Sequence, residues 1–237
     1  MNYDAVILSH PKDYNKLVYC LESLSYLKPY PENIYVVSPH KHEFNGIDVT
    51  SIQDHEALEI TFEDIKYKRP FWIFQQLLGL YQDFTENDLY MVIDGDIMFN
   101  RDIKFSGKTF FLSDREQWHK PYFNFMKDYF NLIPNFDKTF INDFMLFDKE
   151  ILRKFMPDLK DFVKDLNHWL QDENYLLADY ELYGHWVYNN MPGEYTLKPT
   201  KQKMFGQFNM WQDEHIKLIV ETCKELDIDL LSIHTWT

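Results

Sequence analysis

The chain has 237 residues, enough for one domain with a sizeable core, and its composition is globular, with 45% hydrophobic and 26% charged residues and no biased tract. A formal net charge of −14 argues against a nucleic-acid partner and against adhesion to anionic lipid, since both call for basic excess. Cys20 and Cys223 alone imply no disulfide framework, and the apolar start from Ala5 to Leu8 is too short for a signal peptide or transmembrane segment, so the expectation is a reduced, cytoplasmic protein.

"DAVILS" (4–9) is a short apolar run that reads as a buried strand. Leu17, Leu21, Leu24 and Leu27 follow near helical spacing, and Ile34 to Ser38 reads as a second strand closed by Pro39. Strand, helix, strand within about forty residues is a βαβ unit, which predicts a parallel sheet covered by helices. "RPFWIFQQLLGLYQDF" reads as a helix with Pro70 in its first turn, where proline is tolerated. The strand "LYMVI" comes next, then a short strand at 108–113 and an aromatic-rich helix at 121–134. "FMLFD" (144–148) is a strand leading into the helix "KEILRKFM". Residues 179–191 and 211–226 read as the last two helices, and "LLSIHTWT" closes the chain as a strand. The fold class is therefore α/β: a single Rossmann-like domain over 1–237, with a mostly parallel central sheet flanked by helices and a less regular second half.

Five stretches carry chemistry. Asp94-Gly95-Asp96 interrupts two apolar runs. At the C-terminal edge of a parallel strand, two such carboxylates enter the crevice where α/β proteins bind ligands, and hard oxygen donors there suit Mg²⁺ or Mn²⁺. Asp-Gly between apolar runs is equally a hairpin signal, and both readings stand on sequence alone. An EF-hand is excluded, because the glycine and the bidentate glutamate are not at the required offsets. Lys66, Lys68 and Arg69 precede a helix start, where cations oppose the helix dipole unless an anion binds there. Gln75 and Gln76, further along that helix, face either a polar ligand or solvent. Asn142 and Asp143 stand at the entrance of a strand, placed to bond sugar hydroxyls or to form a turn. Asp179 and Glu181 occupy a helix's first turn, which the dipole favours, and either is a candidate general base. His234 follows the final apolar run, and imidazole is a common metal ligand.

In their order along the chain, "RPFWIFQQLLGLY", "YMVIDGDIMF", "FINDFMLF", "DYELYGHWV" and "SIHTW" resemble the GT-A glycosyltransferases, closest to a group of these from bacteria and large DNA viruses. The resemblance covers nearly the whole chain and implies a metal-dependent transfer of a sugar from a nucleotide-sugar donor, a UDP-sugar in the first instance, to a glycan or other hydroxyl acceptor. It implies a nucleotide-binding half over 1–105 and an acceptor-side half over 106–237. Asp94 would meet the donor ribose or the metal, Asp96 and His234 would ligate Mn²⁺ or Mg²⁺, and Ser9 and His10 would line the nucleotide pocket. Arg69 would face the donor phosphates, Asp143 the donor sugar or the acceptor. Glu181 resembles the base of inverting members, with Asp179 as its near rival. No acceptor-site signature is visible. Two rivals are a haloacid-dehalogenase-like phosphatase, whose DxD motif usually opens its fold, and a non-catalytic carbohydrate-binding protein using the abundant aromatics.

Overall fold

A computed structural model of the chain describes residues 1–44, 46–113, 119–134, 139–207 and 211–235. Trp236 and Thr237, part of the expected closing strand, lie outside the described residues. The elements in order are β1 (Asp4–Leu8), α1 (Tyr14–Ser23), β2 (Leu27–Lys28), β3 (Ile34–Ser38), β4 (Thr50–Gln53), α2 (Asp54–Ala57), α3 (Pro70–Tyr81), β5 (Leu89–Asp94), β6 (Ile97–Phe99), β7 (Ile103–Lys104), β8 (Thr109–Ser113), α4 (Lys120–Phe130), β9 (Phe144–Asp148), α5 (Lys149–Leu152), α6 (Leu159–Trp169), α7 (Asp179–Asn190), β10 (Thr196–Thr200), β11 (Gln202–Gln207), α8 (Asp213–Cys223) and β12 (Leu230–Thr235).

The central sheet has the order β4-β3-β1-β5-β9. All its pairings are parallel except that of β5 with β9, so the mostly parallel α/β expectation holds. The apolar strands explain the layers. Successive side chains point to opposite faces. Val6, Leu8 and Val92 enter one core cluster, while Ala5, Ile7, Met91 and Ile93 enter the other. A strand buried on both faces must read as a continuous apolar run, which is how β1, β3 and β9 read.

Asp94-Gly95-Asp96 is a turn but not a hairpin. β5 pairs with β1 and β9, whereas β6 leaves the sheet and pairs antiparallel with β12 in a second sheet of order β11-β12-β6. Gly95 has a packing reason: its N–H donates to Leu8 O at 2.9 Å, and a Cβ on it would stand 2.9 Å from that same oxygen. The glycine therefore lets the turn lie against the end of β1.

Several boundaries differ from the expected ones. The first helix ends at Ser23 and tightens into a 3₁₀ turn before Leu27 pairs with Ile103. The helix after β9 stops at Leu152 and loosens into turns over 153–155, short of the expected end at Met156. Asp158 then caps α6, a helix the sequence reading passed over, by accepting from Lys160 N at 2.9 Å. Strands β4, β10 and β11 were also not foreseen; β4 and β10 are largely outside the core, so their residues lack an apolar period.

Helix α7 lies close against the segment leading into β9. A Cβ on Gly184 would come 2.2 Å from Cγ of Phe140, a ring that is itself fully buried. Gly184→Ala is expected to cost about 1–3 kcal/mol by overpacking, measured by urea denaturation. The loss should shrink in a Phe140→Ala background, where the opposing ring is gone.

Candidate functional site

A cleft of about 670 Å³ opens at the C-terminal ends of β1 and β5. His10, Arg69, Gln75, Gln76, Asp94, Asp96, Asn142, Asp143, Asp179 and His234 all line it. Ser9 and Glu181 do not. Ser9 borders an adjoining cavity of about 10 Å³, shared with Gln75, Phe71 and Asp54, and its buried hydroxyl has no hydrogen-bond partner.

Asp94 is the last residue of β5, and its N–H donates to Asp143 O at 3.0 Å. Burial, then the charges of Asp143 and Asp96, holds its carboxyl well above the usual carboxylate range. Two residues on, Asp96 is turned toward β12. Its backbone O accepts from Ile233 N at 2.9 Å, and its Oδ2 lies 2.9 Å from His234 Nδ1. Burial pulls the imidazole's proton affinity down, but the hydrogen bond and charge of Asp96 outweigh it and raise it overall. Asp143 takes a hydrogen bond from the Ser232 hydroxyl. Residues 138 positions apart thus meet because β12 pairs with β6 in the register Ser232↔Ile97.

Other cleft residues have structural work. Asn142 donates to Phe111 O at 2.8 Å and accepts from Gln202, so its amide ties β8 and β11 together at the cleft wall. Gln76 Oε1 accepts from Asp179 N at 2.9 Å and joins α3 to the start of α7. His10 Nδ1 accepts from Lys12 N at 3.2 Å, and burial lowers its pKa. Arg69 is exposed, with its guanidinium 5.3 Å from the centre of the Trp72 ring. Lys66 and Lys68 are exposed and do not line the cleft, so the basic cluster contributes Arg69 to it.

The two acids of the α7 start separate clearly. Asp179 lines the cleft, and burial lifts its carboxyl to about 8. Glu181 is fully buried behind the wall, where it accepts from Thr139 Oγ1 at 2.6 Å and Phe140 N at 3.0 Å and lies 3.1 Å from His185 Nε2. Residues two apart on a helix lie about 200° apart around its axis, so the two cannot face one cleft. Glu181 pins the segment that delivers Asn142 and Asp143; of the pair, Asp179 is the one that reaches the cleft.

Lys12, Asp13, Trp72, Tyr122 and Thr235 also line the cleft and were not singled out from sequence. Asp13 was the most legible of them, since it follows Pro11 directly after the first strand. Among the described residues, no three His, Cys, Asp or Glu side chains are grouped as ligands around one point. The chemistry of Asp94, Asp96 and His234 fits a hard divalent ion. As they stand, Asp96 and His234 are hydrogen-bonded to each other, and Asp94 carries a surplus of neighbouring negative charge.

A carboxyl raised from 3.8 to about 8 binds its proton more tightly when folded than when unfolded. Its contribution to stability is complete below the unfolded value and is lost as pH rises through the folded one. Asp179→Asn should therefore gain stability over wild type between about pH 4 and pH 8, by on the order of a few kcal/mol at the upper end. Thermal melts across that range test it; a constant difference would show that Asp179 titrates normally.

Neither protein-family models nor curated proteins give a match to the chain. Solved structures do. Mouse xyloside xylosyltransferase 1, in its apo form, aligns over 98% of this chain and 97% of its own at 12% identity and a TM-score of 0.51. An active-site mutant of LgtC aligns over 99% of this chain and 88% of its own at 13% identity and the same TM-score, 0.51. At such identities the likeness concerns backbone architecture, and on that ground the chain has the GT-A fold of these glycosyltransferases.

Proposed function

We propose that the protein is a glycosyltransferase that moves a sugar from a nucleotide-sugar donor, a UDP-sugar first among them, to a hydroxyl of a glycan acceptor with the help of Mn²⁺ or Mg²⁺. The observation that carries this reading is the meeting of Asp94, Asp96 and His234 in one cleft at the C-terminal edge of a parallel sheet, on a GT-A fold. The half over 1–105 would hold the nucleotide, and 106–237 would hold the acceptor. Among GT-A enzymes the chain would belong with the bacterial and large-virus group. Two buried free cysteines suit a reducing compartment, and the cytoplasm is the proposed location. A haloacid-dehalogenase-like phosphatase fits less well, because Asp94 ends β5, late in the fold.

In this reading Asp96 and His234 hold the ion, with Asp94 on the ion or the donor ribose. The ion would supply charge stabilisation to the departing nucleoside diphosphate. Arg69, at the mouth of the cleft, would add a second cation for the diphosphate, fixed by its stacking on Trp72. His10 and Ser9, just past β1, would border the nucleoside. Asp179 would take the proton of the acceptor hydroxyl, with Asp143 beside it; Glu181 acts only through the segment it anchors.

Calorimetry of UDP binding tests the donor site. Affinity should be higher with Mn²⁺ than in excess chelator, and His234→Ala should lose about 10- to 100-fold of the metal-dependent part while keeping its fold. Asp96→Asn should lose it too, and equal affinity with and without chelator would sink the metal-bridged donor site. The base is tested by a pH profile. With Asp179 at about 8, kcat/KM should rise with pH up to that point. Asp179→Asn should be slowed by about 10²- to 10⁴-fold and lose the rise, while Glu181→Gln should keep it.

A further inference from the structure

Lys16 is a puzzle that packing does not solve. It lies on the buried face of α1 with Leu17, Cys20 and Leu21, and it is 0% exposed. A lysine in such a place must find partners for its ammonium or destabilise the fold. Its Nζ stands 2.5 Å from Asp13 Oδ1, 2.6 Å from Ile233 O, 3.2 Å from Thr235 Oγ1 and 3.8 Å from Asp96 Oδ2. Those atoms are all hard oxygens, and two of them belong to carboxylates that line the cleft.

Such a set is the donor chemistry of a cation site. We infer that the Lys16 ammonium is a resident cation buried directly behind the cleft wall, filling an oxygen-lined position that would otherwise call for a metal ion, and that from there it positions Asp96 and the end of β12. The wiring follows from the contacts. Asp96 Oδ2 is shared between His234 Nδ1 and the edge of the ammonium's surroundings. The backbone on either side of His234 is gripped by lysines of the α1 region: Lys16 holds Ile233 O, and Lys12 Nζ donates to Thr235 O at 3.0 Å. Trp211 Nε1 holds His234 O itself at 2.9 Å. Without the ammonium, Asp13 and Asp96 would lose their nearest shared cation beside Asp94, and the strand end that carries His234 would keep only the Lys12 tether to the α1 region.

The assignment concerns the cleft proposed above as a donor site, but its test reads cation binding alone and needs no sugar transfer. Wild type, Lys16→Ala and Lys16→Met are melted in chelator and then with increasing Mn²⁺, without nucleotide. Both variants should melt below wild type in chelator. Mn²⁺ should raise Lys16→Ala, where the vacated space leaves room for an ion among the same oxygens, by at least about twice the shift it gives wild type. Lys16→Met fills that space without charge and should gain no more than wild type does. Electron paramagnetic resonance should count one more bound Mn²⁺ in Lys16→Ala than in wild type. Equal Mn²⁺ shifts in wild type and Lys16→Ala, equal rescue of the two variants, or a Lys16→Ala chain that stays unfolded in Mn²⁺ would each overturn the inference. Failure of UDP to bind wild type would remove the donor-site reading and leave this one standing.

Discussion

Like-charge crowding governs this cleft. Asp13, Asp94, Asp96, Asp143 and Asp179 line one opening, and the Asp94 carboxyl is raised first by burial and then by its four neighbours. Carboxylates this close cannot all ionise without compensation. The compensation comes from within the chain, through the buried ammonium of Lys16, the imidazole of His234 and the raised proton affinity of the Asp94 and Asp179 carboxyls. Surplus negative charge held against the fold's own stability is what the proposed cation and its anionic donor would relieve.

The scaffold earns its rigidity through the two sheets that flank the Asp94-Gly95-Asp96 turn. The parallel sheet fixes Asp94, because β5 is held on both sides by β1 and β9. The second sheet fixes Asp96 and His234, because β6 and β12 leave the turn's far side together. Gly95 lets the turn sit tightly on the end of β1, so the two aspartates are held by different sheets yet stay within one cleft. Helix α7 supplies the opposite wall. Its first residue reaches the cleft, while Glu181 behind it clamps the approach to β9 and so places Asp143.

Much of this was legible along the chain. The continuous apolar runs of β1, β3, β5 and β9 announced strands buried on both faces, and Pro70 marked the start of α3 correctly. Residues that line the cleft were legible as residue types in an order: paired aspartates after an apolar strand, a late histidine, an acid at a helix start. The unforeseen elements have different causes. β4 and β10 are short and largely outside the core, where burial imposes no period, whereas α6 carries a helical period in Phe162, Val163 and Leu166 behind the Asp158 cap and was legible in principle.

Sequence by itself determined the fold class, because backbone burial in a parallel sheet demands apolar runs that no other arrangement explains as simply. It also determined that Asp94 ends a strand, since a charge cannot continue one buried on both faces. Tertiary structure alone decided the rest. The choice between hairpin and crevice depended on which strand β6 pairs with, a long-range contact with no local signal. The choice between Asp179 and Glu181 depended on which face of α7 meets the cleft, and both acids satisfy the helix dipole equally. Lys16 reads as an ordinary lysine of an amphipathic helix until β12, more than two hundred residues later, brings its carbonyl and hydroxyl oxygens around the ammonium.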